Sequence, residues 1–482
     1  MIDEFSYRRS RWTIARLILP LLVVQLVAVC DVFADDSRPN IVLVLADDVG
    51  IEGLQCYGGV SYATPFLDAM AAEGLRFTNA FSQPLCTPTR VQLMTGRYNH
   101  RNWTSFGILD PSAKTIGHHM KAAGYATAIF GKWQLQSYDP PDFPGGRSRR
   151  GTGMAVEDAG FDEFAVFHAR HTEDKGSRYA NPTMTEGVAG DRGTVKTHVG
   201  DYGEDIWLDK VMDFLRRRRD RPAFVYYPMA LPHNPFQPTP DSDEYDPTAP
   251  AVDEVRFTKD MIEYIDTLMG RLMRQLKSAG LADNTVVIFT SDNGTNVKVT
   301  SLMADGREIR GGKATPLQTG IHVPLIAWSP GHVKPRVTDR LVDMSDMLPT
   351  CLALADWPVA EGPPLDGISF ADQFRPAETP EETPAQRDAV FVWYDPRPGW
   401  DKERFGRHVF ALDHTHKLFR NGRLVRLTDR PLEEIEVTSE AESIADRAAR
   451  RRLAAVIARE MQPHPDQKRT EPPLVDAFGS PL

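Results

Sequence analysis

The stretch Arg38-Pro39-Asn40-Ile41-Val42-Leu43-Val44-Leu45-Ala46-Asp47-Asp48-Val49-Gly50 decides the fold. Ile41 to Ala46 is apolar at every position. A strand exposed on one face would alternate; one that is apolar on both faces must be covered on both, as a central strand of a parallel sheet is. The run stops abruptly at the Asp47-Asp48 pair. Working outward, similar strand-like runs lie at Ala126 to Phe130, Ala223 to Tyr227 and Thr285 to Thr290. Helical patterns separate them, at Thr64 to Glu73, Thr115 to Ala123, Tyr202 to Arg218 and Asp260 to Ala279. Gly280 closes the last of these as a C-cap. Strand and helix in alternation predict an α/β fold, a doubly wound, mostly parallel sheet flanked by helices.

Past residue 360 the texture changes. Glu361-Gly362-Pro363-Pro364 and the Pro/Glu-rich stretch Pro376 to Pro384 read as linkers or surface loops. Short strands follow at Ala389 to Tyr394, His408 to Leu412, His416 to Phe419 and Leu424 to Leu427, then a charged helix from Ser443 to Met461. These predict a smaller C-terminal α+β subdomain, an antiparallel sheet plus helix, with a loosely held tail from Pro463. The division is thus 1–34 leader, 35–360 α/β domain and 361–482 subdomain, with no internal repeat.

The leader carries Arg8, Arg9 and Arg11, then an apolar run from Leu17 to Val29, then Val32-Phe33-Ala34. That order is a secretory signal with cleavage after Ala34, and it predicts an exported protein, periplasmic or secreted. Left uncleaved, the same segment would tether the chain to a membrane, although the run is short for a bilayer span. Of the four cysteines, cleavage removes Cys30 and leaves Cys56, Cys86 and Cys351, an odd number in an oxidising compartment. The net charge of −10, from 66 acidic and 56 basic residues, argues against a nucleic-acid partner. It leaves room for an anionic substrate, which needs only a local basic cluster.

In an open parallel sheet, ligands bind at the carboxyl ends of the strands. Asp47-Asp48 and Asp292-Asn293 both follow such strands, and together they offer oxygen ligands suited to Ca²⁺ or Mg²⁺. The other reading of each pair is a helix N-cap. Cys86, in Gln83-Pro84-Leu85-Cys86-Thr87-Pro88-Thr89-Arg90, opens a predicted helix. On residue type alone it is either an activated thiolate or a buried structural cysteine.

The same stretch, continued by Thr95-Gly96-Arg97, resembles the sulfatase signature: Cys-x-Pro-x-Arg followed at a set distance by Thr-Gly-Arg. Five further segments resemble that family's landmarks, in its order. They are Arg38-Pro39-Asn40 leading to Asp47-Asp48, Gly131-Lys132-Trp133, Pro232-His233-Asn234-Pro235-Phe236, Ser291-Asp292-Asn293-Gly294 and Arg310-Gly311-Gly312-Lys313. The resemblance, to formylglycine-dependent type I sulfatases of the alkaline-phosphatase-like superfamily, implies hydrolysis of sulfate esters on a carbohydrate or aryl alcohol. It implies that a formylglycine-generating enzyme oxidises Cys86 to formylglycine, whose hydrate is the nucleophile. It implies calcium, ahead of magnesium, held by Asp47, Asp48, Asp292, Asn293 and the modified Cys86. Arg90 would hold the modified residue, Lys132 and Lys313 would neutralise sulfate oxygens, and His233 would protonate the leaving alcohol, a task that a near-neutral pKa suits. Read singly, the lysines are equally surface residues and His233 a loop cap.

Two segments depart from the family. Gln134-Leu135-Gln136 stands where it has His-Leu-Gly, and a glutamine cannot take a proton at neutral pH. Gln318-Thr319-Gly320-Ile321-His322 stands where it often has Glu-Gly-Gly and an arginine, a change read as local packing. Substrate choice is assigned to loops at 140–153, with Arg147, Arg149 and Arg150, and at 167–200, with His168, Arg170 and His171. The arginines are either a solvated patch or a face for a polyanionic sugar chain. Three other functions stay open on the sequence: a phosphate or phosphonate ester hydrolase of the same superfamily, a catalytically silent binder of sulfated glycans, and a thiolate hydrolase.

Overall fold

The computed structural model describes residues 38–137, 146–169, 176–358, 363–374 and 386–462. The predicted leader, the tail from Pro463, Arg170, His171 and the side chain of Arg147 lie outside the described residues.

Strand β1 (Asn40–Ala46) is buried along its whole length, as its sequence predicts. It lies between β7 (Ala223–Pro228) and β8 (Thr285–Ser291) and runs parallel to both. Beyond β7 come β3 (Ala126–Lys132), β4 (Glu163–Phe167), β5 (Thr183–Val188) and β6 (Thr194–Thr197). Beyond β8 come β11 (Leu325–Trp328), β2 (Leu75–Phe81) and β12 (Arg336–Asp343), which completes a ten-stranded sheet. Only β11 and the β5–β6 edge run antiparallel to their neighbours. The span 167–200, read from the sequence as a substrate loop, is therefore corrected: β5 and β6 extend the sheet. Threonines at 183, 185, 194 and 197 favour extended backbone, and β5 pairs with β4 through Ala165 and Glu186.

Alternate residues of β1 feed opposite cores. Ile41, Leu43 and Leu45 face one, and Val42, Val44 and Ala46 the other. The second core is closed by helices α1 (Pro65–Glu73), α4 (Gly203–Arg217) and α5 (Thr258–Ser278), through Leu67, Trp207, Leu268 and their neighbours. The first is closed by α2 (Cys86–Thr95), α3 (Ile116–Ala122) and α6 (Met347–Leu354), through Val91, Ile116 and Leu348. Helices on both faces make the sheet doubly wound. Gly280, at φ +67°, follows α5 in the left-handed region that ends a helix.

The C-terminal strands β13 (Val390–Tyr394), β14 (His408–Leu412), β15 (His416–Phe419), β16 (Leu424–Leu427) and β17 (Glu434–Val437) form an antiparallel meander, with β9 (Thr300–Leu302) and β10 (Glu308–Arg310) a separate ribbon. Helix α7 (Ile444–Glu460) covers the meander, and Leu453 and Phe410 join the core that also holds α2. Among the described residues no helix is long and apolar enough to cross a membrane. Cys56, Cys86 and Cys351 are all free thiols, so Cys56 and Cys351 do not pair.

Candidate active site

Parallel pairing builds the site. Ala46 and Ser291 are partners at the ends of β1 and β8, so the next residues, Asp47-Asp48 and Asp292-Asn293, emerge side by side. Bonds between the two turns fix them: the Asp48 amide donates to Asp292 Oδ1 at 3.1 Å, and Asn293 Nδ2 donates to Asp48 Oδ1 at 2.7 Å. Asp48 adopts φ +82°, a strained value for a residue with a side chain. The carboxyl ends of β3 and β7 reach the same edge and bring Lys132 and, after a short turn, His233. Strand β2 ends there too, and α2 begins with Cys86 in its first turn.

Three cations face three carboxylates. Lys132 Nζ lies 2.7 Å from Asp47 Oδ2, Lys313 Nζ 2.6 Å from Asp48 Oδ2, and Arg90 Nη2 2.8 Å from Asp292 Oδ2. Burial alone would raise the Asp47 carboxyl, but the charges of Lys132, Arg90 and Lys313 hold it well below the ordinary range. Burial and the Asp47 charge push Asp292 up. Two buried acceptors, Asp47 Oδ1 and Asn293 Oδ1, have no hydrogen-bond partner among the described residues. Unpartnered buried oxygens are costly. Clustered carboxylate and amide oxygens are what a hard cation takes, so the donor set fits calcium.

His233 shares this site: one of its ring nitrogens lies with oxygens of Asp47 and Asp48, all within 4.8 Å of one another. Its Nδ1 is 2.6 Å from the Asn234 carbonyl oxygen, which can only accept, and 3.4 Å from Arg178 Nη1, which can only donate; the shorter contact favours a proton on Nδ1 and leaves Nε2 for a ligand. Burial first, then the Lys313 charge, push the imidazole well below its usual value, so the free site holds it neutral. Three residues that the sequence did not single out fix its turn. Glu204 Oε1 accepts from the amides of Ala230 and Leu231 at 2.6 and 3.2 Å, the Tyr179 hydroxyl donates to the carbonyls of Ala230 and His233, and Arg178 Nη2 donates to the Asn234 carbonyl at 3.1 Å. The Leu231 carbonyl in turn accepts from the Asp47 amide at 2.9 Å. No local motif marks these residues; only the fold brings them here.

Cys86 opens onto a cavity of about 500 Å³ together with Gln134, His233 and Lys313. Gln134 is 3% exposed at φ +55°, and its Oε1 has no hydrogen-bond partner among the described residues. The other departure is packing: His322 sits against Phe81 and bonds Gln318 and the Thr78 carbonyl. Arg149, Arg150 and His168 are not in the cavity wall; Lys298, Lys402 and Arg404, unmarked in the sequence, are.

A protein-family model described as Sulfatase matches residues 39–357. Human arylsulfatase A is 32% identical over 365 residues, covering 69% of this chain and 67% of that protein. Human N-acetylgalactosamine-6-sulfatase is 31% identical over 358 residues, covering 69% and 65%. Among solved structures, the phosphonate monoester hydrolase of Agrobacterium radiobacter superposes with a TM-score of 0.61 at 20% identity, covering 88% of this chain and 96% of that one. That last likeness is one of fold.

Proposed function

The chain belongs to the sulfatase family, a family of sulfuric ester hydrolases, and from that premise we propose that it cleaves sulfate esters of a saccharide or aryl alcohol at residue 86. One observation carries the reading: Cys86 shares a cavity with His233 and Lys313, beside a carboxylate cluster in which two acceptor oxygens have no hydrogen-bond partner among the described residues. Asp47, Asp48, Asp292 and Asn293 would hold calcium, joined by the modified side chain at 86. Bound calcium would offset negative charge at the sulfate, and formylglycine made from Cys86 would supply a hydrated aldehyde as the attacking group.

The remaining work falls to the chain's own side chains. Arg90, fully buried, fixes Asp292 and, through Nη1, the Lys132 carbonyl at 3.3 Å. It thereby sets where α2 presents residue 86. Lys132 and Lys313 would bind the sulfate oxygens and stabilise the charge that builds on them. Both ammonium groups already sit at the carboxylate cluster, so little reorganisation is required when substrate enters. His233, tied at Nδ1, would offer Nε2 to the ester oxygen. Because it begins neutral, the proton that Nε2 gives to the leaving alcohol would be one first taken up from the attacking hydroxyl. Gln134 would position the modified residue by hydrogen bonding and leave proton transfer to other groups.

The leader motivates export, with maturation by a formylglycine-generating enzyme. Turnover of matched aryl sulfate, phosphate and phosphonate esters tests the reading, alongside Cys86→Ala. Sulfate release that exceeds the other two and vanishes in C86A supports it. Preference for the phosphorus esters, or activity that survives C86A, would refute it.

A further inference from the structure

Lys313 hangs from a turn whose position is fixed at both ends. On the side of the site, the Lys313 amide donates to the Thr295 carbonyl at 3.0 Å, and the Ala314 amide to the Pro84 carbonyl at 2.8 Å. Thr295 follows the Asp292-Asn293 pair and Pro84 precedes Cys86, so the turn touches the segments that carry the metal donors and the nucleophile. Ala314 lies at φ +69°, in the left-handed region that a residue with a side chain disfavours, so the turn needs support from outside itself. That support comes from the C-terminal meander. Lys417 in β15 is 1% exposed, and its Nζ donates to the Pro316 carbonyl at 2.6 Å and to the carboxylate of Glu434 at the start of β17. Glu434 Oε1 in turn accepts from the Gln318 amide at 3.0 Å. One buried ion pair thus holds the backbone at two points just beyond Lys313. Such a pair adds little stability over apolar residues of the same size, because both charges give up their hydration. What it supplies is direction, since its donors and acceptors fit one placement of the turn.

We propose that Lys417 and Glu434 are positioning residues for Lys313: through them the C-terminal meander sets where the Lys313 ammonium meets the sulfate group of the substrate. The inference rests on the sulfatase reading of the site. Neither residue is among those that line the cavity, so their effect on turnover passes through the turn. Lys313 Nζ, 2.6 Å from Asp48 Oδ2, is in place before substrate enters only while the turn is held. A displacement of about 1 Å in a group that stabilises developing charge costs up to about a hundredfold in rate.

The test uses the full chain with residue 86 converted, an aryl sulfate as substrate, and rates taken per folded, converted molecule. Lys417→Met should lower turnover about tenfold or more, mainly in kcat, because charge on the sulfate oxygens peaks in the transition state. In a Lys313→Met background the same substitution should cost nothing further, since Lys417 acts through Lys313. Glu434→Gln keeps an acceptor for the Gln318 amide and should lose less, about threefold; it keeps the test open if K417M does not fold. Independently of turnover, amide hydrogen exchange across residues 313–318 should quicken about tenfold in K417M and measurably in E434Q. A loss of equal size with and without Lys313, or exchange unchanged in both variants, overturns the positioning role alone. No sulfate release from the wild type overturns the sulfatase reading, and with it the role of the pair in turnover.

Discussion

Arg90 gives two N–H groups to one oxygen of Asp292, Nε at 3.1 Å and Nη2 at 2.8 Å, with both side chains withdrawn from solvent. The bond fixes the first turn of α2 to the end of β8, so the position of residue 86 is linked to that of a proposed metal ligand. Removing one partner of such a pair strands the other charge.

Arg90→Ala should therefore lower stability by about 3–5 kcal/mol, read by chemical denaturation. Arg90→Lys keeps a charge but loses the fork. It should recover part of the stability while sulfate release stays about a hundredfold or more below wild type. Recovery of both by lysine would show that Arg90 acts as a charge alone.

Chelation should act on the fold as well as on activity. Asp47 Oδ1 and Asn293 Oδ1 have no hydrogen-bond partners among the described residues, so an ion bound there would stabilise the native state. Adding calcium to chelated protein at a hundredfold excess over Kd should restore about 2.7 kcal/mol and raise Tm by several degrees. Asn293→Ala should blunt that response. A Tm indifferent to calcium in the wild type would argue against the site.

Glu204 should impose a pH dependence on stability. Burial raises its carboxyl to about 7, against an ordinary 4.5, despite bonds from Tyr227, Ala230 and Leu231. The folded state therefore holds its proton more tightly than the unfolded chain, and this contribution is complete below about pH 4.5 and lost as pH rises to 7. Urea denaturation across that window should show a decline of roughly 2–4 kcal/mol from this group, absent in Glu204→Gln. Glu204→Ala should also lower kcat, because the turn carrying His233 loses its anchor. Identical pH profiles for wild type and E204Q would contradict the assignment.

Cys56 and Cys351 should behave as two separate thiols. Burial pushes Cys56 and Cys351 up to about 12, so alkylation of native protein at pH 8 should spare both. After denaturation without reductant, both should be labelled. A mass that rises only after reduction would reveal a disulfide instead.

Much of this architecture was legible in the sequence because it depends on adjacency along a strand. Ile41 to Ala46 announced a buried strand, and any residues after it had to lie at the carboxyl edge; Asp292-Asn293 followed by the same logic. The C-terminal strands were legible for the same local reason, except β17, whose Glu434-Ile435-Glu436-Val437 alternates polar and apolar with Ile435 47% exposed. β5 and β6 were missed because a polar edge needs no apolar run. Glu204 was missed because its contact is long-range: it holds the turn before His233 from an element nearly thirty residues back, and no local pattern marks it.

The most direct test of the central claim is the mass of the tryptic peptide Phe77 to Arg90, taken from protein made with a formylglycine-generating enzyme and assayed in parallel for sulfate release. The account predicts the aldehyde at residue 86, in a proportion that tracks activity from preparation to preparation. Intact thiol alone, with no aldehyde, in a preparation that releases sulfate would contradict it.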